Sequence, residues 1–262
     1  MKKKLFMAAL AALAATPGLA ADMLVKKAPP PPRAPAWSWT GFYVGANLGG
    51  GWAKTDWFED VSGSGGGGGP PGFQDASVSA SSVLGGGQIG FDWQSGWAVF
   101  GIQADADAAG IRGSVSCFPQ VANTPQSCSI KIDTLGTVTA RFGAAFDKTH
   151  YYILGGFAWE HERLNNPGMF AGVPFNPEFS GTRAGATVGA GLETILAGNW
   201  SVFVQYNYIG FGRRALVLTE TIPAAAVLGP PTFTEIIRED IHVIKAGINY
   251  HFNWGGPVAA SR

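Results

Sequence analysis

The chain has 262 residues and a formal net charge of zero, with 14% charged residues, 12% aromatics and 38 glycines. Charge this sparse falls well below the roughly 25% of an ordinary soluble protein and leaves little polar side chain to cover a soluble surface. No basic excess points to nucleic acid, and no single-sign field points to steering of a charged substrate.

At the N-terminus, Lys2, Lys3 and Lys4 precede the apolar run Leu5 to Ala15, and small residues follow at Gly18, Ala20 and Ala21. This is the pattern of a secretory signal peptide over residues 1–21, removed after Ala20 or Ala21. Its apolar run is too short for a membrane-spanning helix, which needs about 20 residues. Removing the three lysines leaves the mature chain with a formal charge near −3. No later stretch is long and apolar enough for a spanning helix, so a membrane location requires a closed barrel. Residues 22–38 contain Ala28-Pro29-Pro30-Pro31-Pro32-Arg33-Ala34-Pro35, a stiff polyproline II spacer that forms a periplasmic linker.

Eight candidate strands follow over residues 39–254, each alternating between apolar and polar residues. The first, Thr40 to Trp52, sets Phe42, Val44, Ala46, Leu48 and Trp52 against Tyr43, Gly45, Asn47 and Gly49. The second, Val83 to Gln94, sets Ile89, Phe91 and Trp93 against Gln88, Gly90 and Asp92. In the third, Trp97 to Ala108, Phe100, Ile102, Ala104 and Ala106 oppose Gly101, Gln103, Asp105 and Asp107. The fourth, Ile130 to Phe146, sets Ile132, Val138, Ala140, Phe142 and Phe146 against Lys131, Asp133, Thr139 and Arg141. The fifth, Tyr151 to Glu160, has Ile153, Phe157 and Trp159 as its apolar set. The sixth, Gly181 to Leu196, opposes Ala186, Val188, Ala190 and Leu192 to Thr187, Gly189, Gly191 and Glu193. The seventh, Trp200 to Phe211, opposes Val202, Val204, Tyr206 and Tyr208 to Gln205 and Asn207, with Phe203 breaking the polar phase. The last, Ile244 to Phe252, alternates most cleanly, with Lys245, Gly247, Asn249 and His251 in its polar phase. Residues 255–262 form a C-terminal tail.

Connections alternate between long and short: long after the first, third, fifth and seventh strands, short after the second, fourth and sixth. The fold class expected is an all-β, eight-stranded antiparallel up-and-down transmembrane barrel with short periplasmic turns and four long outer loops. A soluble eight-stranded ligand carrier alternates too, but its apolar phase lines a cavity. Two features favour the membrane. Glycine crowds the polar phase, as suits a narrow interior. Aromatics gather near strand ends at Trp39, Trp52, Trp93, Trp97, Phe146, Tyr151, Trp159, Trp200, Phe252 and Trp254, as in interfacial girdles.

The signal peptide, the Pro-rich tether, the opening Trp39-Thr40-Gly41-Phe42-Tyr43-Val44-Gly45 and the closing Lys245-Ala246-Gly247-Ile248-Asn249-Tyr250-His251-Phe252 resemble the small outer-membrane β-barrel proteins of alphaproteobacteria. Those proteins are called outer membrane immunogenic or porin-family proteins and are similar to the OmpA-like transmembrane barrel. Trp97 to Asp107 and Leu135-Gly136-Thr137-Val138-Thr139-Ala140-Arg141 fit the same pattern. The resemblance covers nearly the whole mature chain. It implies a Gram-negative outer-membrane location and a role in envelope integrity and surface exposure. The partners it implies are outer-membrane lipid and lipopolysaccharide, the barrel-assembly machinery during biogenesis, and a host or environmental surface. The chain departs from the pattern by continuing ten residues past Phe252.

Chemistry is sparse. Cys117 and Cys128 lie in a polar segment of an exported chain and are expected to form a disulfide; two thiols alone make a poor metal site. Asp92, Asp105, Asp107, Asp133, Glu160 and Glu193 are expected to project inward with Lys131, Arg141, Arg183 and Lys245. They would form either a polar path for small solutes or, as the narrow lumen favours, a salt-bridged plug. Asp105 and Asp107 share a face, but no nucleophile or metal-binding His accompanies them. The best enzymatic constellation is His161, Ser180 and Glu160 near the outer rim, the position of lipid acyl-transfer chemistry. Gly65 to Gly69 is followed by Pro70-Pro71, so it is a surface loop and not a phosphate loop. No cofactor or metal is expected, and the chain is read as a non-enzyme.

Overall fold

The computed structural model describes residues 37–59, 72–117, 126–165, 167–170, 173–176, 178–219 and 232–253. The signal segment, most of the Pro-rich linker, the run Gly65 to Gly69, Trp254 and the C-terminal tail lie outside them. Ten strands form: β1 (Gly41–Glu59), β2 (Gln74–Ser95), β3 (Ala98–Cys117), β4 (Gln126–Phe146), β5 (Thr149–Asn165), β6 (Gly168–Phe170), β7 (Val173–Phe175), β8 (Glu178–Ala197), β9 (Trp200–Thr219) and β10 (Thr232–Asn253).

Eight of these make one ring. Each of β1, β2, β3, β4, β5, β8, β9 and β10 pairs antiparallel with the next, and β10 pairs back on β1. β6 and β7 pair with each other and touch the ring through Gln126 opposite Gly168. Within the apolar band, closure leaves no unpaired strand edge among the described residues, the condition for β structure to survive in hydrocarbon. The three tight turns each carry a residue with positive φ: Gly96 at 62°, Asp147 at 54° and Gly198 at 53°. Such residues suit the two-residue hairpin turns whose twist matches the flanking strands.

The outer wall of the lower barrel is apolar. Leu48, Ile89, Ile102, Ile153 and Ile248 are 68%, 61%, 65%, 62% and 48% exposed. Trp52, Trp93, Trp97, Phe146, Tyr151, Trp200 and Phe252 also face outward at the two ends of this band. From Phe42 to Trp52, ten residues on a strand tilted ~40° rise about 25 Å, the height of the apolar band of a membrane barrel. Trp39 is a correction to the expected girdle: it is 0% exposed and lies inside the ring.

The long strands run well past this band, and here the polarity reverses. On β1 the outward residues change from Leu48 and Trp52 to Lys54 and Asp56, while the inward ones change from Gly45 and Asn47 to Ala53 and Trp57. On β10, Ile248 and Ile244 outside give way to Asp240 and Arg238, while Asn249 and Lys245 inside give way to Val243, Ile241 and Ile237. Ala53, Trp57, Val78, Ile111, Ile130, Ile132, Ile209, Ile237 and Ile241 join one buried apolar cluster in the upper interior. The physical reason is the change of solvent. Against hydrocarbon the wall must be apolar, and against water the same alternation must turn its apolar phase inward.

Bulges assist the reversal and overturn one expectation. The pairing slips between Ile132 and Thr134 on β4 and between Ala108 and Ile111 on β3. Ile132, expected to face lipid, is therefore 0% exposed in the interior. Lys131 and Asp133, expected in the lumen, lie on the outer wall, where their side chains are 35% and 24% exposed. One extra residue in a strand swaps every side chain beyond it to the other face.

Inside, glycine makes room for rings from the adjacent strand. A Cβ at Gly90 would meet the Tyr43 ring at 2.3 Å, and one at Gly191 would meet the Tyr152 ring at 2.6 Å. The glycine-rich phase thus accommodates large polar aromatics in a narrow cylinder.

Candidate functional site in the barrel interior

Successive inward positions stack polar groups along the axis of the lower barrel. At the barrel end that carries the three tight turns, Trp39 packs its ring 5.3 Å from His150 and 5.4 Å from His251, and its backbone N–H donates to Gln94 Oε1 at 2.8 Å. The segment before β1 therefore enters the barrel mouth.

Above it lies a cluster around Arg141. Its Nη2 donates to Glu193 Oε2 at 2.9 Å, and its Nη1 donates to Gln103 Oε1 at 3.1 Å and to the Tyr43 hydroxyl. The guanidinium also sits 3.9 Å from the Tyr152 ring centroid and 3.9 Å from Asp92 Oδ2. Glu193 Oε1 accepts from Ser201 Oγ at 2.5 Å and Asn249 Nδ2 at 2.7 Å, with His251 Nε2 at 3.0 Å. The next cluster joins three residues: Lys245 Nζ donates to Asp105 Oδ1 at 2.6 Å and to Asp107 Oδ2 at 3.1 Å. Thr137 Oγ1 also donates to Asp105, at 2.6 Å. Asn47, Gln88 and Asn249 link the two clusters by amide hydrogen bonds of 2.9 and 2.7 Å.

Arg183 belongs to neither cluster. It lies nearer the outer end, where its Nη1 is 2.8 Å from Glu239, 3.7 Å from Glu162 and 3.9 Å from Glu160. Arg214 Nη2 donates to Glu162 Oε1 at 2.5 Å. Carboxylate oxygens of Glu160, Glu162 and Glu239 lie within 4.8 Å of one another. A guanidinium already occupies the space between them, so the group is an ion-pair cluster and not an open metal cradle. Glu162, Glu239 and Arg214 escaped the sequence reading because their stretches read as loop; the continuing alternation of β5 and β10 was the available signal.

The enzymatic constellation does not assemble. Ser180 Oγ is 3.4 Å from His161 Nε2 on the outer wall, but Glu160 is 0% exposed and faces the interior, its Oε1 3.9 Å from Arg183 Nη1. Adjacent strand residues point to opposite faces, so Glu160 cannot orient His161. On β3 and β4, Cys128 is buried opposite Val115, and Cys117 stands opposite Gln126.

A closed ring of eight antiparallel strands with an apolar outer band, aromatic borders and a hydrogen-bonded polar interior defines an outer-membrane β-barrel protein. Comparison with known proteins agrees. The family model described as outer membrane protein beta-barrel domain matches residues 6–252, and the chain belongs to that family. It is 31% identical over 264 residues to the 31 kDa outer-membrane immunogenic protein of Brucella melitensis, covering 95% of this chain and 100% of that one. The 25 kDa outer-membrane immunogenic protein of Brucella abortus is 28% identical over 250 residues, covering 94% and 95% of the two chains. Among solved structures, the outer membrane protein OprG from Pseudomonas aeruginosa superposes with a TM-score of 0.51 at 13% identity, covering 81% of this chain and 96% of that one. The protein resides in the Gram-negative outer membrane.

Proposed function

We propose that the protein is a structural, surface-exposed component of the outer membrane that carries its four longer connections outside the cell. The observation that supports this most is the filled interior. Ion pairs and amide bonds occupy the membrane half, and the half above it holds apolar side chains packed around the buried Arg183–Glu160–Glu162–Glu239 ion-pair cluster. Paired charges and close-packed apolar side chains in series support a filled lumen without an open path for water and ions. The names of the Brucella relatives, outer-membrane immunogenic proteins, support surface display. The separation of Glu160 from His161 argues against acyl-transfer chemistry and for a non-enzyme.

The same reading includes a cleaved signal peptide, a periplasmic tether over residues 22–38, and a Cys117–Cys128 disulfide between β3 and β4. Among the described residues no cysteine is free, which supports the disulfide. The competing role is that of a narrow porin or small-molecule carrier. Planar-bilayer recording of purified, refolded protein decides between them: folded protein without unitary conductance is expected, and reproducible single-channel steps would establish the porin.

A further inference from the structure

The outer wall just above the apolar band carries cations in directly opposed positions. Arg112 on β3 stands opposite Lys131 on β4, and Lys131 stands opposite Arg163 on β5. All three face outward; the side chains of Lys131 and Arg163 are 35% and 54% exposed, and Arg112 is exposed as well. Like charges directly opposite one another across strands are destabilising. One carboxylate, Asp133, bonds to Lys131 at 2.6 Å and Arg163 at 3.1 Å, and Arg112 makes no ion pair among the described residues. The hydrogen bond from Lys131 and the charge of Arg163 hold the Asp133 carboxyl below its ordinary range, so it stays ionised. Three cations and one anion leave two positive charges on this row.

We propose that the row Arg112–Lys131–Arg163 binds the phosphate of a phosphorylated lipid in the surrounding outer leaflet. Position commits the site to a lipid. Arg163 lies four residues past Trp159, about 10 Å higher on a tilted strand, and long basic side chains lean down into the headgroup layer. About 15 Å lower on the same strand pair, Val138 and Phe157 oppose each other and are 48% and 50% exposed on the hydrocarbon face. One amphiphile can therefore set its phosphate on the row and its acyl chains on this pair. The membrane-barrel assignment is enough for this site, which does not depend on whether the lumen conducts.

The test uses the refolded mature protein in phosphatidylcholine vesicles containing brominated phosphatidic acid or, separately, brominated phosphatidylcholine. Tryptophan quenching reports which lipid occupies the barrel wall, and gel heat-modifiability confirms folding. At least about a fivefold preference for phosphatidic acid is expected, the effect of one uncompensated cation at an anionic surface. Arg112→Gln/Lys131→Gln/Arg163→Gln should abolish it, and Asp133→Asn should strengthen it. Should the triple variant not fold, Arg112→Gln alone should weaken the preference, because that residue has no ion pair among the described residues to lose. Absence of a preference in the native protein, or its full retention in the folded variants, overturns the site. Excess inorganic phosphate should leave the preference intact; its abolition would assign the row to a soluble anion and overturn the lipid assignment.

Discussion

Arg141 and Glu193 meet at 2.9 Å across the lumen, and each side chain is 1% exposed. Removing one member of such a pair strands the other in a site without water. Arg141→Met should therefore destabilise the barrel by about 3–5 kcal/mol, while Arg141→Met/Glu193→Met should recover much of the loss. Urea unfolding in lipid vesicles, followed by tryptophan fluorescence, measures both.

Lys245 serves two carboxylates and Asp107 shares one lysine, so their substitutions should rank. Lys245→Met leaves Asp105 and Asp107 facing each other and should cost about 3–5 kcal/mol. Asp107→Asn leaves the bond from Lys245 to Asp105 and should cost about 1–3 kcal/mol. Equal shifts in the same unfolding assay would refute this division of roles.

The polarity reversal predicts opposite behaviour for two isoleucines of β10. Ile241 is 0% exposed within the upper apolar cluster, so Ile241→Ala should cost about 2–5 kcal/mol by opening a cavity. Ile248 is 48% exposed to lipid, which refills the space, so Ile248→Ala should cost far less. Ile248→Arg should cost roughly 2–4 kcal/mol near mid-membrane. Asn249→Arg, by contrast, does not enter an open lumen: Asn249 is 2% exposed and bonds Gln88 and Glu193. Unfolding midpoints for the four variants check the pattern.

For the proposed Cys117–Cys128 bond, reductant should lower the unfolding free energy of the native protein by about 3 kcal/mol and leave Cys128→Ser unchanged. Thiol labelling of denatured, unreduced protein should find no reactive cysteine in the native chain and one in Cys128→Ser.

The lower barrel was legible because hydrocarbon imposes a strict two-residue period, and β1 and β10 obey it from Phe42 to Trp52 and from Phe252 to Ile244. The upper barrel was not. Once the outer solvent becomes water, the period persists while its polarity inverts, and Lys54, Asp56, Arg238 and Asp240 then read as loop. A bulge at Ile132 reverses the phase of β4 without any glycine or proline to mark it, so alternation alone assigns Lys131 and Asp133 to the wrong face. Lumen partners posed a further difficulty. Which carboxylate meets which cation depends on register around the ring, and alternation within one strand carries no information about its neighbour's offset. Hence Arg183 could be given a face but not its three glutamates.

The reversal at Trp52 also fixes a height. From there to the end of β1 at Glu59 the strand rises about 17 Å at a ~40° tilt. Chain leaving at Glu59 and returning at Gln74 thus starts clear of the headgroup plane, held up by a rigid, water-compatible palisade. With this end outside the cell, as proposed, a large external binder such as an immunoglobulin would meet polypeptide before it met lipid.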